Sequence, residues 1–579
     1  VLAVWNFDGE WKYKFGGELD MAGLVSACQE ADFLVAHNAK FELQWLERCG
    51  FDISTKPVYC TYVAEWVIGG NRWVHRALSL DNCCERRGLG QKDSVVSDMI
   101  KGGVCPSDIP RSLLLRYCRQ DVQLTKDLFG MQLQDMRDTS LLPIVYTRCL
   151  TIAPLADIEK NGLHLDGERV EKEYHDYLSR YTSVMDELDA MTGGINPRSP
   201  IQVANFVYGE LGFEEKTDKQ GKPIRNKPTK TFPEGAPKVD KDTLTSLKAT
   251  TKKQKRFMEL KKQQSKLSAA LDKNLAMFLG ACRENDGMIY AQLQQGTTIT
   301  HRLSSAGRST YYKTFDAVKG CQFQNLPRIF KPLFSPRYDG WLIGEADGAQ
   351  LEFRVAGDLG DDDVIRCEVS EGYDVHSFTM QVMNDAGDNI DRTGAKRHTF
   401  KPLYGGVSGT KAQRTYYEAF GEKYNSLKST QDKWCRLVGE DKMLETKWGM
   451  RFYWPQARYD GDWLNVKTSV YNTPIQSFAT ADIIPIGLVY FWHRSREAQM
   501  FMVNTVHDSI EVEFPAEERE LFEKLAVQCL TEDVYNYLDK VYDVQFSVPL
   551  GVGMVIGKHW GEPLPGEDEI TVQVEVPHE

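Results

Sequence analysis

The sequence lacks a long hydrophobic run, an excess of positive charge and any Cys-x-x-Cys pair. Its most apolar stretch, residues 483–492, is too short to span a bilayer and contains Pro485, so we expect no membrane partner. The first residues show neither a basic region nor a long apolar core, which argues against a secretion signal. Thirteen cysteines without zinc-site spacing favour reduced thiols and a cytoplasmic location. The net charge of −12 argues against indiscriminate binding of polyanions.

One segment has the opposite charge. Residues 216–273 contain 17 Lys+Arg against 6 Asp+Glu, a local net charge of +11 that leaves −23 for the rest of the chain. Such a run is typical of a solvated helical hairpin, but it equally suits a basic arm that follows a phosphate backbone. Composition alone leaves both interpretations open.

The length of 579 residues favours two to four domains. Residues 1–140 alternate strand-like and helical runs, residues 145–290 have helical apolar spacing, and residues 216–237 are rich in Pro, Gly and Lys and predict an exposed loop. The C-terminal half mixes strand-like and helical runs. The expected fold class is a multidomain combination of α/β and α+β.

Three separated segments carry candidate chemistry. Asp347 ends an apolar strand-like run, and the pair His507-Asp508 interrupts an alternating run, which predicts a hairpin with a carboxylate at its tip. Between them, residues 391–406 carry two cations and then two aromatic residues at intervals of four, which on one helix would form a single stripe. Two acidic strand ends and a cationic helix are what metal-assisted phosphoryl transfer requires.

The order and types of these residues resemble one family. DGAQLEFR, RTGAKRHTFKPLYGG and VHDSIEVE are similar to the three polymerase motifs of the family A DNA polymerases, the group that contains bacterial DNA polymerase I and many phage replicases. The resemblance implies an RNase H-like exonuclease domain followed by a right-hand polymerase domain of thumb, palm and fingers. The implied boundaries are 1–140 for the exonuclease-like domain, 141–340 for the start of the polymerase domain with the thumb, and 341–579 for palm and fingers, with the fingers at about 372–460.

The resemblance also assigns roles to residues of this sequence. It implies that Asp347 and Asp508 are catalytic and hold two Mg²⁺ ions, with Mn²⁺ as a possible substitute. The residues that it implies for dNTP binding are Arg392, Lys396, Phe400, Tyr404, Glu352, His376 and Gln350. Among these, Glu352 would be the gate that excludes a ribose 2′-hydroxyl. The residues that it implies for primer–template binding are Arg302, Asn472, Gln476, His507, Lys252, Lys253 and Arg256.

Further segments extend the likeness. THRLSS at residues 300–305 and QNLPR at residues 324–328 resemble the family's TGRLSS and LQNIP. Two departures stand out. Ser509 follows Asp508 where most members carry Glu, which puts the metal preference in doubt. Pro402 lies inside the expected fingers helix and should remove one backbone hydrogen bond and bend it.

The N-terminal region resembles a 3′–5′ exonuclease only in part. AHNAKFELQWL and YCRQDVQLTKDL are similar to the second and third motifs of the DnaQ-like exonucleases and imply roles for Asn38, Glu42, Tyr117 and Asp121. The first motif, an Asp-x-Glu on the opening strand, is not found in its place. Residues 8 and 10 have the spacing, but they lie in NFDGEW, where Asp-Gly predicts a hairpin turn. We therefore expect the chain to begin inside the exonuclease fold, with weak or absent proofreading.

The leading hypothesis is DNA-templated DNA synthesis in replication, with primer–template DNA, dNTPs and replisome proteins such as a helicase or clamp as partners. One alternative is a single-subunit RNA polymerase, which Glu352 and the exonuclease-like region argue against. The other is an inactive scaffold that binds primer–template, which the intact set of Asp347, Asp508, Arg392 and Lys396 argues against. The compact organisation suggests a phage or viral origin.

Overall fold

The computed structural model describes residues 2–17, 21–90, 94–218, 220–306, 321–561 and 563–564, and the backbone of residues 571–576. The chain divides into two compact units, one of residues 1–164 with 290–579 and the other of residues 165–289. The second unit falls inside the range 141–340 expected from the sequence, and the three boundaries named above stay predictions.

The first part of the larger unit is mixed α/β. Its strands are β1 (Leu2–Phe7), β2 (Glu10–Phe15), β3 (Leu34–Ala36), β4 (Val58–Cys60) and β5 (Leu163–His164). Its helices are α1 (Ala22–Glu30), α2 (Lys40–Arg48), α3 (Thr61–Gly69), α4 (Leu80–Arg86), α5 (Ser94–Lys101), α6 (Arg111–Met136), α7 (Leu141–Leu150) and α8 (Ile152–Asn161). Strands β1 and β2 form an antiparallel hairpin, and β3 and β4 pair in parallel.

The smaller unit is helical. Its elements are α9 (Gly167–Thr192), α10 (Pro200–Ala204), α11 (Lys241–Ser246), α12 (Lys252–Ala270), α13 (Ala276–Glu284) and β6 (Met288–Ile289). Helix α12 begins with a capping box, because Thr251 and Gln254 each accept a backbone hydrogen bond from the other. The described residues of 216–237 contribute only isolated bridges and are mostly exposed, as expected of a loop.

The remainder of the larger unit carries a five-stranded sheet and many helices. Its strands are β7 (Leu293–Gln294), β8 (Ser304–Ser305), β9 (Trp341–Gly348), β10 (Met443–Glu445), β11 (Arg451–Tyr453), β12 (Tyr459–Asp460), β13 (Trp463–Leu464), β14 (Phe501–Val506), β15 (Ser509–Pro515), β16 (Leu550–Gly557) and β17 (Thr571–Val576). Its helices are α14 (Leu351–Leu359), α15 (Asp363–Ser370), α16 (Val375–Asp385), α17 (Arg392–Thr399), α18 (Lys411–Lys423), α19 (Asn425–Asp441), α20 (Lys467–Ser477), α21 (Ile484–Ser495), α22 (Arg519–Leu530) and α23 (Glu532–Tyr542).

The five-stranded sheet has the order β14-β15-β9-β16-β17, and all its pairs are antiparallel. Helix α22 covers one face at Gly344, where an added Cβ would lie 2.5 Å from the ring of Phe522. Because side chains alternate along a strand, Glu345 and Asp347 lie on the opposite face of β9. The sheet therefore presents the acidic residues of β9 away from α22.

Two helical stretches, Leu141–Asn161 and Lys467–Ser495, are long and apolar enough to cross a membrane by length and composition. The expectation from residues 483–492 alone was wrong about length, because Pro485 stands in the first turn of α21 and does not interrupt the stretch. However, 67% and 83% of their apolar windows are buried inside the protein, as in core helices.

Candidate active site

Asp347 and Asp508 meet at one end of the five-stranded sheet. Asp347 lies near the end of the central strand β9, and Asp508 lies in the two-residue turn between β14 and β15, where His507 adopts the left-handed region with φ 61°. The register places Ser509 opposite Asp347, and the Gly348 N–H donates to the Asp508 carbonyl at 3.0 Å. The hairpin predicted from the sequence is confirmed, and it brings the two carboxyl groups into hydrogen-bond contact.

The electrostatics of this pair suit a divalent cation. Desolvation by the surrounding protein raises the pKa of Asp347 and of Asp508. The charge of Asp508 raises the pKa of Asp347 further. Asp347 is nevertheless exposed to solvent. Two adjacent carboxylates are hard oxygen ligands whose repulsion a bound Mg²⁺ ion would offset. This donor set therefore fits the metal that the sequence implied.

Ser509 occupies the position where the family most often has Glu, and its hydroxyl serves the turn. It contacts the Val506 carbonyl at 2.9 Å and the Glu511 carboxylate at 2.5 Å. Burial, together with the charge of the neighbouring Glu345, raises the pKa of Glu511 to about 8. Glu345 in turn accepts hydrogen bonds from Lys331 and Trp560, each at 2.8 Å.

This acidic pair behind the site was missed in the sequence. The alternation in GEADG and SIEVE places Glu345 and Glu511 on the strands that carry Asp347 and Asp508, and that was the signal available. Neither glutamate replaces the carboxylate that most family members have at position 509, because Glu511 is fully buried and Glu345 is bound by Lys331.

A cleft of about 530 Å³ lies beside the two aspartates and brings together several of the predicted site residues. Glu352 stands in it and accepts hydrogen bonds from the Tyr404 hydroxyl and, at 3.4 Å, from the Gln476 amide. The Arg302 guanidinium lies 3.8 Å from the same carboxylate. The residues that line the cleft are Ile299, Thr300, Arg302, Glu352, Tyr404, Thr468, Ser469, Asn472, Thr473 and Gln476.

The pKa of Glu352 is raised overall, although its surroundings act on it in opposite directions. Burial raises its pKa, and the negative charge of Asp508 acts in the same direction, whereas Arg302 lowers it. Gln350, the other predicted nucleotide contact on this segment, is exposed and precedes α14 with a left-handed φ of 48°. The strand-to-helix corner at Gln350 thus separates Asp347, on β9, from Glu352, in the first turn of α14.

The single helical stripe predicted for residues 392–404 was wrong. Helix α17 carries Arg392 and Lys396 but ends at Thr399, and residues 402–404 form a separate 3₁₀ turn. Pro402 has no N–H to continue the α-helical ladder, so the proline ends the helix instead of bending it.

The nucleotide-binding candidates on this segment differ in their freedom. Arg392 is bound by Asp374 through two contacts of 2.7 and 3.1 Å, whereas Lys396 is exposed. Phe400 lies with its ring centre 5.6 Å from that of His376, whose Nδ1 is 2.9 Å from the Thr399 hydroxyl. A triphosphate that binds Arg392 must therefore compete with a carboxylate already in place.

Gln324 fixes the turn that carries His507. Its amide donates to the Thr505 carbonyl at 2.7 Å, and its carbonyl oxygen accepts the His507 N–H at 3.1 Å. Burial, together with the charge of the nearby Arg302, lowers the pKa of His507 to about 4. The sequence pointed to this segment through QNLPR, but it did not reveal that Gln324 clamps the turn.

The basic residues of the smaller unit lie on α12. Lys252 and Lys253 are exposed in its first turn. Arg256 is instead bound by two carboxylates, Glu187 at 2.6 Å and Glu259 at 2.8 Å. The structure therefore separates exposed lysines from an arginine bound by carboxylates within a run that the sequence treated as uniform.

Glu42 on α2 and Asp121 on α6 lie close enough to interact electrostatically. Glu42 is exposed to solvent, and the neighbouring protein atoms together with the charge of Asp121 raise its pKa to about 7. Asn38 precedes α2 with a left-handed φ of 59°, and Tyr117 lies on α6, one turn before Asp121.

The candidate first motif lies in a hairpin turn. Asp8 and Gly9 form the turn between β1 and β2 with φ 48° and 85°, which confirms the predicted hairpin. Glu10 is exposed and pairs with Lys12 at 3.4 Å. Among the described residues, no group of three or more His, Cys, Asp or Glu side chains is placed to hold a metal.

Comparisons with known proteins match this geometry. The family model described as DNA polymerase family A matches residues 167–562, and the model described as 3'-5' exonuclease matches residues 25–136. The residues 25–136 fall inside the range 1–140 expected for the exonuclease-like domain.

Curated relatives include bacterial DNA polymerases I. The chain is 26% identical over 567 residues to the thermostable DNA polymerase I of Thermus aquaticus, an alignment covering 88% of this chain and 62% of the relative. It is 22% identical over 563 residues to the DNA polymerase I of Chloroflexus aurantiacus, covering 92% of this chain and 55% of the relative. The chain thus spans less than two thirds of the length of these relatives. Both are bacterial, and the phage or viral origin stays a prediction.

A solved structure shares the fold. The POL domain of Pol1 from M. smegmatis, in complex with DNA primer-template and dNTP, aligns with a TM-score of 0.72 and 20% identity over 96% of this chain and 91% of that chain. The fold expected from the sequence, an exonuclease domain followed by a polymerase domain, is confirmed. Because the polymerase model matches more than half of the residues, the chain belongs to the family A DNA polymerases.

Proposed function

We propose that this chain performs DNA-templated DNA synthesis in replication, adding deoxynucleotides to the 3′-hydroxyl of a primer. The observation that carries the proposal is the contact between Asp347 and Asp508 beside a cleft that contains Glu352 and Tyr404. Family membership supports it, since family A polymerases are metal-dependent, generally on Mg²⁺.

Asp347 and Asp508 are the residues that would hold the two Mg²⁺ ions. When bound, such ions supply charge stabilisation for nucleotidyl transfer. The protein contributes a fixed arrangement of the ligands, since Asp347 lies on β9 and Asp508 lies in the turn that leads into the neighbouring strand β15. Gln324 adds to this rigidity because it holds the turn from both sides.

Glu352 accounts for the choice of sugar. Hydrogen bonds from Tyr404 and Gln476 hold its side chain in one position in the cleft. A carboxylate fixed there takes the space of a ribose 2′-hydroxyl, so deoxynucleotides are preferred. This supports DNA synthesis over the alternative of a single-subunit RNA polymerase.

The remaining substrate contacts follow from charge. Lys396, Arg392 and His376 would face the triphosphate, and the lysines of α12 would follow the backbone of the primer–template duplex. A cytoplasmic location and replisome partners such as a helicase or clamp follow from the proposed function alone.

Primer extension tests the proposal. The chain is incubated with a labelled primer–template, Mg²⁺ or Mn²⁺, and either dNTPs or NTPs, with Asp347→Asn as the matched control. We expect extension with dNTPs by the unsubstituted chain alone. Extension with NTPs instead would support the RNA polymerase alternative, and binding without extension would support the inactive scaffold.

A further inference from the structure

The segment 293–302 lies along the exonuclease-like domain. The Tyr62 hydroxyl donates to the Gln295 carbonyl at 3.3 Å, and the His75 N–H donates to the Gly296 carbonyl at 2.8 Å. The approach is close, since a Cβ added at Gly296 would lie 2.5 Å from the Tyr62 ring. The exonuclease-like domain therefore fixes the backbone of this segment at consecutive residues.

The beginning of the segment is held from the same side. The Lys40 ammonium contacts both the Leu293 carbonyl and Glu159, and Glu159 accepts the Leu293 N–H at 2.6 Å. Lys40 lies at the start of α2, the helix that also carries Glu42. The contact of α2 with the polymerase region is thus separate from the chemistry of Glu42.

His301 closes the segment inside a buried slot. Its side chain is 1% exposed and stacks on Trp66, with ring centres 4.1 Å apart and planes inclined by 19°. Its Nε2 lies 2.8 Å from the Gly70 carbonyl, and its Nδ1 contacts the Arg148 guanidinium. Since Arg148 only donates and the carbonyl only accepts, the neutral Nε2–H tautomer satisfies both contacts.

The slot is anchored within the polymerase region. Arg148 pairs with Asp482 at 3.1 Å, both fully buried, and Asp482 also accepts the Tyr542 hydroxyl at 2.8 Å. Burial lowers the pKa of His301, and the Arg148 charge lowers it further, so the ring is neutral. His301 thereby joins Trp66 and Gly70 of the exonuclease-like domain to a buried ion pair.

The next residue, Arg302, reaches the site. Its guanidinium lies 3.8 Å from Glu352, and its charge influences His507 and Asp508. The Arg302 Nε is buried and has no hydrogen-bond partner among the described residues. His301 has a left-handed φ of 63°, a conformation rare for a residue with a side chain. The slot that holds its ring therefore fixes the direction in which Arg302 leaves the backbone.

We propose that His301 is a positioning residue that aims Arg302 at Glu352 and the primer terminus, and that the exonuclease-like domain supports the polymerase site through it. This inference rests on the proposed function for its activity readout. The support comes from Trp66, Gly70 and Tyr62 and does not require nuclease chemistry.

The test is a double-mutant cycle of His301→Gly and Arg302→Ala, read by kcat/KM for dNTP addition and by primer–template affinity. Glycine adopts the left-handed conformation freely, so the substitution removes the ring without backbone strain. We expect His301→Gly to lower kcat/KM by about tenfold in the original chain and to have no further effect beside Arg302→Ala. An equal loss in both backgrounds would overturn the inference.

Two further variants keep the test decisive. Trp66→Leu removes the stacked ring from the other side and should give a smaller loss that again vanishes beside Arg302→Ala. It replaces His301→Gly if that variant does not fold. Lys101→Gln, at the exposed end of α5, is the matched control within the exonuclease-like domain and should leave kcat/KM unchanged.

The outcomes separate the two proposals. If the unsubstituted chain extends no primer, the proposed function fails, and the same cycle is read from primer–template affinity measured by fluorescence anisotropy. Coupling of the two substitutions in affinity would then still support the positioning role. Additive losses in affinity would overturn it.

Discussion

The polymerase site and the exonuclease-like site each bring two carboxylates together, but on different supports. Asp347 lies on strand β9 and Asp508 lies in the turn that leads into the neighbouring strand β15, whereas Glu42 and Asp121 lie on two helices. Desolvation by the surrounding protein raises the pKa of Asp347 in one site and of Glu42 in the other. The polymerase site also has a cleft with Arg302 and a hydrogen-bonded acid, Glu352. The two sites therefore differ in the elements that support their paired acids and in the side chains that surround them.

The largest expected effect comes from removing one ligand of the polymerase site. Asp347→Asn or Asp508→Asn should lower the rate of nucleotide addition at least about 1,000-fold, or ~4 kcal/mol, because each carboxylate holds the stabilising cations. Primer–template affinity should stay within about twofold of the original, since a metal ligand makes no backbone phosphate contact of its own. Single-turnover extension measures the first and fluorescence anisotropy the second.

Ser509→Ala is the matched control for that experiment. It removes a hydroxyl that binds Glu511 and Val506 but leaves both aspartates in place, so extension should fall by less than about fivefold. A loss comparable to that of the aspartate variants would contradict the assignment of the site to the two aspartates.

Sugar selection gives the next largest effect. Glu352→Ala should reduce the preference for dNTPs over NTPs by about 10- to 100-fold, since the change opens the space of the 2′-hydroxyl. Competition of dNTP and NTP at one template position measures it. Tyr404→Phe removes only one hydrogen bond to Glu352 and should produce a smaller change in the same direction. Unchanged selectivity in both variants would mean that the nucleotide lies elsewhere.

A smaller effect is expected on the salt dependence of DNA binding, which compares the exposed lysines of α12 with its carboxylate-bound arginine. Changing Lys252, Lys253 and Lys255 together to Gln should lower the log–log salt slope of DNA binding by about 2 to 3, because each phosphate contact contributes about 0.9. Arg256→Gln should change the slope by less than about 1, since Glu187 and Glu259 already neutralise it. Titrations at several salt concentrations decide this, and an unchanged slope in the triple variant would return the run to a solvated surface.

Much of the polymerase site could be predicted because its residues are fixed by local patterns. The strand end at Asp347 and the hairpin tip at Asp508 follow from alternation and from a polar pair between apolar strands. The prediction of one helix from 392 to 404 was wrong, because spacing alone cannot show that Pro402 ends a helix instead of bending it.

Contacts between distant segments were not predictable. The pairing of Arg256 with Glu187 and the stacking of His301 on Trp66 join residues far apart in the chain, and no local pattern reports them. The one available signal was His301 itself, a histidine in THRLSS where the family's TGRLSS has glycine. A left-handed backbone position explains the usual glycine, and the buried slot explains why a histidine is held there.

The smallest expected effect is at the exonuclease-like site. Asp121→Asn should change neither primer shortening nor fidelity, because Glu42 and Asp121 lack a third ligand among the described residues and the hairpin carries Asp8 and Glu10 in an exposed turn. Sequencing of the extension products made by the original chain and by the Asp121→Asn variant measures fidelity. A higher error rate in the variant would show that the site proofreads.

One gel compares the two sites directly. A 5′-labelled primer is incubated with Mg²⁺ in two reactions, matched to its template with dNTPs and mismatched at its 3′ end without them. We predict extension in the first, abolished by Asp347→Asn, and no shortening in the second. Stepwise shortening that disappears in Asp121→Asn, or extension that persists in Asp347→Asn, would contradict the account.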